Sequence, residues 1–304
     1  MKSKNIIIGS RGSKLALIYA EIAKRKILEN YSNYNVEIKK ITTDGDLNTK
    51  DRLSDIGGKG LFSKKIEQEL QQKKIDLAVH ALKDMPSEEP DDLLTDCFLE
   101  RNDPREILIS KKNLTLNELP PNSTVGTSSF RREFQLKKLR KDLNFRLIRG
   151  NVDTRLKKLE SDSYDAIILS YAGVKSLNLD QKISQFFSIS EIIPSAGQGV
   201  VALQSRKEDG DLINLLSKIN HMPTYNCITA ERSVLKILEG DCETAVGANA
   251  IIKAKKITLS AELFSLDGSK RFFQQDTKDL SESKALGIQI GEKLKIQSNN
   301  SYKK

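Results

Sequence analysis

Short apolar runs alternate with longer amphipathic stretches through roughly the first 220 residues. Ile6-Ile7-Ile8 reads as a strand and 13–28 as the helix after it; 36–41 is a second strand, followed by a polar loop from Thr42 to Gly60. Helical periodicity covers 61–72, and strand-like runs follow at 75–79, 93–99 and 107–109. The rhythm then repeats: strands at 124–126, 145–148 and 166–169, each leading into a helix. Such alternation predicts mostly parallel sheets with helices on both faces. Asn102-Asp103-Pro104 and Pro194-Ser195-Ala196-Gly197 read as crossings between two lobes, and 199–203 as a strand returning to the first. After about residue 222 the pattern changes. A helix over 224–238 stops at Gly240, strands at 248–252, 257–264 and 271–275 form an antiparallel meander with a turn at Asp267-Gly268, and a last helix covers 280–296. The domains predicted are 1–100 with 198–220, 101–197, and a small α+β domain at 221–304 whose tail from Ser298 is disordered.

Charge is placed unevenly. Residues 126–155 hold nine Lys/Arg and three Asp/Glu, a net of +6 out of the chain's +9. Arg131 and Arg132 follow Gly126-Thr127-Ser128-Ser129, and Arg149 and Arg155 enclose Gly150-Asn151-Val152-Asp153-Thr154. Both stretches read as strand ends turning into helix starts, where free backbone N–H groups and the positive dipole end favour an anion. A guanidinium fork there grips two oxygens of a carboxylate or phosphate. A third turn, Gly9-Ser10-Arg11-Gly12-Ser13, has the same chemistry. A solvated basic helix face is the other reading, and it suits Lys137, Lys138, Arg140 and Lys141. Ligands of open α/β sheets sit at the carboxyl ends of strands, which in a two-lobed chain is the cleft.

With 38% hydrophobic and 30% charged residues, the chain reads as soluble and globular. It lacks an apolar run long enough for a membrane span or a signal peptide, which points to a cytoplasmic protein. Two histidines exclude a His-rich metal site, and the pI near 9.2 comes without the aromatic-interleaved motifs of a nucleic-acid binder. Of three cysteines, Cys97 and Cys227 fall on apolar stripes, whereas Cys242 lies in the polar turn Glu239-Gly240-Asp241-Cys242-Glu243-Thr244. That cysteine is either incidental or a point of covalent attachment; its acidic neighbours argue against a low-pKa nucleophile. Asp84, at the end of the run 75–86, is either a helix cap or a carboxylate that stabilises positive charge on a reacting ligand. His80 reads as a hydrogen-bonded structural residue. Gly57-Gly58-Lys59-Gly60 is either a plain connector or a mobile lid carrying Lys59.

Taken together, these segments resemble the porphobilinogen deaminase (hydroxymethylbilane synthase) family. The resemblance runs from Ile6 to about Ala250, on GSRGSKLA at 9–16, GGKGLF at 57–62, DLAVHALKDMP at 76–86, GTSSFRR at 126–132, RGNVDTR at 149–155, GQG at 197–199 and EGDC at 239–242. It implies an α/β fold of two periplasmic-binding-protein-like lobes plus an α+β C-terminal domain with an antiparallel sheet. It also implies a transferase that adds four porphobilinogen units, with loss of ammonia, to a dipyrromethane cofactor held by a thioether to Cys242. By the same resemblance Asp84 is catalytic. Lys83, Thr127, Ser128, Ser129, Arg131 and Arg132 hold the cofactor; Arg11, Ser13, Arg149 and Arg155 hold substrate; Lys59 and Phe62 belong to the lid. The implied enzyme has porphobilinogen as its partner, needs no metal, nucleic acid or membrane, and works as a monomer. Ser176 stands where many relatives carry Arg after the lysine, so one substrate contact is either lost or passed to Lys175. Tyr19, Asp241 and Ala245 replace residues common in the family.

Overall fold

The computed structural model describes residues 4–47, 60–161, 163–240 and 244–303. In chain order the first run comprises β1 (Lys4–Arg11), α1 (Lys14–Asn30), β2 (Tyr34–Ile41), the single turn α2 (Asp44–Leu47), α3 (Lys64–Gln71), β3 (Leu77–Ala81) and β4 (Leu93–Phe98). The second comprises β5 (Glu106–Ser110), β6 (Thr124–Gly126), α4 (Phe130–Leu139), β7 (Asn144–Arg146), α5 (Val152–Ser161), β8 (Ala166–Ser170), α6 (Tyr171–Ser176) and β9 (Gln185–Phe186). Then come β10 (Val201–Arg206), α7 (Gly210–Ile219), α8 (Met222–Leu238), β11 (Val246–Lys253), β12 (Lys256–Phe264), β13 (Arg271–Asp279) and α9 (Ser283–Ser298). The described residues divide into two compact units: 4–47, 60–102 and 199–225 form one, and 103–161, 163–198, 226–240 and 244–303 the other.

The two five-stranded sheets share one plan. In the first unit the order is β2-β1-β3-β10-β4; in the second it is β7-β6-β8-β5-β9. The first three strands of each order are parallel, as helical crossovers require. The fourth, β10 or β5, runs antiparallel to both its neighbours. Neither of these inserted strands is reached through a βα crossover, the connection that brings sheet neighbours parallel. Helices cover both faces. In the first unit α1 and α7 bury Ile8, Val79 and Leu203, while α3 closes the other face over Ile41, Ala78 and Leu93. The second unit buries Leu108, Val125 and Ile168 on one side and Ile107, Ile167 and Leu169 on the other.

The C-terminal part of the second unit is the antiparallel sheet β11-β12-β13 packed on α8 and α9. Glycines let those two helices approach closely. A Cβ on Gly287 would run into the Ala230 carbonyl, and one on Gly291 into the Ile237 side chain. The turn at Asp267-Gly268 has Gly268 at φ +74, with the Phe134 ring where a side chain would stand.

Several elements depart from the sequence reading, among them β3, which lies at 77–81 and not 75–79, and β7, at 144–146 and not 145–148. Helix α3 begins at Lys64 rather than 61, because Gly60, at φ +82, opens a turn that lasts to Ser63. β13 extends four residues beyond 275, to Asp279, alternating exposed and half-buried side chains. The tail is ordered to Lys303: Tyr302 is buried, its hydroxyl donates to the Leu238 carbonyl at 3.1 Å, and the Lys303 ammonium bonds Glu239 at 2.9 Å. One aromatic side chain with a polar tip suffices to dock a polar terminus.

Packing at Gly287 is testable. Gly287→Ala should lower unfolding free energy by about 1–3 kcal/mol through overpacking. Gly210→Ala, where a Cβ meets nothing within 4 Å, should leave it unchanged or slightly raised; chemical denaturation of the two variants checks this.

Candidate functional site

In the first unit, the sheet's carboxyl ends gather the expected residues around Arg11. The Ser13 side chain caps α1 by accepting from the Ala16 N–H, which leaves Arg11 at the mouth of the turn. Its guanidinium makes a close double contact with Asp46, stacks 4.0 Å from the Phe62 ring centre and lies 3.9 Å from the Asp84 carboxylate. Phe62 in turn lies where a Cβ on Gly45 would be. Burial alone would raise the Asp46 carboxyl; hydrogen bonds from Arg11 and Thr43 outweigh it and hold that acid below its ordinary value. The two acids therefore differ. Asp46 is consumed by Arg11 and by Thr43, whose N–H and hydroxyl reach it at 3.2 and 2.7 Å. Asp84, ending the 3-10 turn Leu82–Asp84 after β3, keeps 36% of its side chain exposed. Lys83, beside it on the same turn, is half-buried.

Arg11, Ser13, Phe62, His80 and Asp84 line one cavity of about 50 Å³. His80 is buried, as expected of a structural residue, with Nε2 3.2 Å from the Gln204 side-chain oxygen. Burial pulls its pKa down to about 4, so the ring is neutral at physiological pH.

In the second unit, β6 and β7 are adjacent parallel strands, and both arginine-bearing turns leave from their carboxyl ends. Arg131 and Arg132 are buried on the first turn of α4, which is capped by Ser129. They share one fully buried acid: Glu106 meets Arg131 at 2.6 Å and Arg132 at 3.0 and 2.8 Å. Arg131 also donates to the Ile193 carbonyl and Arg132 to that of Ile168. Thr127 is buried and accepts from the Ser129 N–H; Ser128 is half-buried. Two guanidiniums against one carboxylate leave a positive surplus where water is scarce, and this donor set fits a ligand rich in carboxylates. Arg149 is also buried, and its carbonyl accepts from Lys158. Arg155 turns back to donate to the Gly150 carbonyl at 2.8 Å. That turn needs its glycine, since Gly150 sits at φ +115 with Thr154 pressed against it. The Ser176 hydroxyl bonds the Ala172 carbonyl of its own helix, and Lys175 is exposed beside it.

Cys242 and Lys59 lie outside the described residues. The approach to the cysteine turn is anchored: Glu239, at φ +54, bonds Lys295 and Lys303, and Gly240 donates to the Leu235 carbonyl. Cys97 and Cys227 are core residues, and burial pushes the Cys97 thiol up to about 12. Sequence reading missed Glu106 and Asp46. The first has a visible signal, a lone acid opening the apolar strand 107–109; the second is one acid among several in the polar loop. No helix among the described residues is long and apolar enough to cross a membrane.

Comparison with known proteins agrees along the chain. Residues 6–214 match the family model described as porphobilinogen deaminase, dipyromethane cofactor binding domain, and residues 225–296 match that of the porphobilinogen deaminase C-terminal domain. The porphobilinogen deaminase of Alkaliphilus metalliredigens is 43% identical over 96% of this chain and 92% of its own. That of Rickettsia prowazekii is 43% identical over 96% and 99%, and that of Coxiella burnetii 39% over 99% and 97%. Among solved structures, the methionine-binding protein MetQ is similar over 73% of this chain and 90% of its own, with a TM-score of 0.45 and 12% identity. Two family models in sequence order, together with relatives matched over nearly their full length, place the chain: it belongs to the porphobilinogen deaminase family.

Proposed function

We propose that the chain is a hydroxymethylbilane synthase, condensing four porphobilinogen molecules head to tail with release of ammonia and then freeing the linear tetrapyrrole by hydrolysis. The observation that carries this reading is the asymmetry around Arg11. One carboxylate, Asp46, is fully engaged, while Asp84 stands 3.9 Å from the guanidinium with its oxygens open. An open carboxylate steadied by a cation can accept pyrrole N–H donors and stabilise the positive charge left on the substrate when ammonia departs. A fixed charge of this kind is worth roughly 10²–10³ in rate.

When bound through Cys242, the dipyrromethane supplies the pyrrole carbon to which substrate units are joined. Lys83, Thr127, Ser128, Ser129, Arg131 and Arg132 bind its carboxylates, the two buried arginines contributing the positive charge that Glu106 leaves unbalanced. Arg11, Ser13, Arg149 and Arg155 bind the acetate and propionate groups of substrate and product, each charge-assisted bond contributing about 1.5–3 kcal/mol. Phe62 borders the pocket and limits water, and Lys59 keeps the lid role that the family resemblance gives it. Residues 221–304 act as the attachment module and the two α/β lobes as the binding machinery. The enzyme works as a cytoplasmic monomer without nucleic acid or membrane.

Asp84→Asn should leave the cofactor attached and lower turnover by about 10²-fold or more; near-normal ammonia release would remove the role assigned to Asp84. Arg149→Leu should stall elongation early. Mass spectrometry of enzyme quenched during turnover would show one intermediate accumulating, whereas an unchanged ladder of intermediates would contradict the assignment.

A further inference from the structure

His80 belongs to a buried polar chain that the reaction described above does not use. Its Nε2 faces the Gln204 side-chain oxygen, and the Gln204 amide nitrogen donates to Glu67 at 3.4 Å. All three residues are buried. Because the Gln204 nitrogen is committed to a carboxylate, its oxygen is what faces the ring, and the ring must carry its proton on Nε2. Nδ1 is thereby left as a lone-pair acceptor. Among the described residues no group bonds Nδ1, and it is not one of their fully enclosed unpaired atoms. His80 lines the cavity beside Arg11, Ser13 and Asp84, and Nδ1 is the ring nitrogen that Gln204 leaves available to meet it. The cavity, about 50 Å³, has room for a few water-sized groups at roughly 10–15 Å³ of such space each. That space admits an aminomethyl head.

We propose that His80 contacts the substrate: locked by Gln204 as the Nε2–H tautomer, it offers Nδ1 to the substrate's ammonium group and orients that group for departure. The inference rests on the function proposed above. In the step it serves, the carbon–nitrogen bond breaks with its electron pair going to nitrogen, so neutral ammonia leaves and the positive charge stays on the methylene and its pyrrole. No proton moves. A group that removed one beforehand would leave an amine, which departs poorly. Burial, which holds His80 near a pKa of 4, makes the ring an acceptor that does not take that proton. The Asp84 carboxylate, close enough to act on His80 electrostatically, then faces the charge that develops.

Two substitutions separate this role from a structural one. His80→Gln carries an amide N–H to the place of Nε2, keeping the bond to Gln204 but removing the pocket acceptor. His80→Asn puts an amide oxygen at the place of Nδ1, keeping the acceptor but breaking the bond to Gln204. Ammonia release in a single turnover of each holoenzyme, with unfolding midpoints measured alongside, decides between them. We expect His80→Gln to fold normally and slow ammonia release about 10-fold or more, as loss of a hydrogen bond to a charged group implies. His80→Asn should be the less stable variant and yet stay within about 3-fold of the parent rate. Equal rates, or Asn slower than Gln, would overturn the inference while leaving the parent's activity intact. A parent chain that released no ammonia from porphobilinogen would instead overturn the proposed function, and this inference with it.

Discussion

Charge imbalance in two small clusters governs the rest of the site. Around Arg11, two carboxylates face one guanidinium; around Glu106, two guanidiniums face one carboxylate. The Glu106 cluster is buried enough for its surplus to matter, because water screens little there, whereas the Arg11 cluster is half-open to solvent. The acidic surplus suits a substrate that becomes cationic, and the basic surplus suits pyrroles that carry acetate and propionate. A buried pair costs desolvation whether or not a ligand comes, so such clusters are poor devices for stability alone. In the proposed function they hold charged groups still before the ligand arrives.

The fold supplies the placement. Parallel strands β1 and β3 deliver Arg11 and the turn bearing Asp84 to one edge of the first sheet, and β6 and β7 deliver the two arginine turns to one edge of the second. Small residues make this possible: Ser13 and Ser129 cap the helices that follow, and Gly150 allows the turn on which Arg155 folds back. The inserted strands reach further. β10 brings Gln204 against His80, and β5 brings Glu106 beneath Arg131 and Arg132.

Much of this was legible in the sequence because it is local. Strand–turn–helix rhythm, capping serines and arginines at the turns all lie within a few residues of one another, and the ordered motifs pointed to the family. What was hidden depends on long-range pairing. Glu106 meets Arg131 across 25 residues and Gln204 meets His80 across 124, and no periodicity reports such partners. The arginines of α4 looked like open ligand donors and are half neutralised for the same reason. Tyr302 looked like part of a polar tail until its partner Leu238, 64 residues away, was placed.

In the proposed function the basic cluster serves a pyrrole primer tethered to the chain. Intact mass of the active protein tests it most directly. A tethered primer should place the mass above that of the 34.1 kDa sequence by two pyrrole rings with their acidic side chains, reverting to the sequence mass when Cys242 is replaced by serine. Fully active protein at the bare sequence mass, with Cys242 open to alkylation, would contradict it.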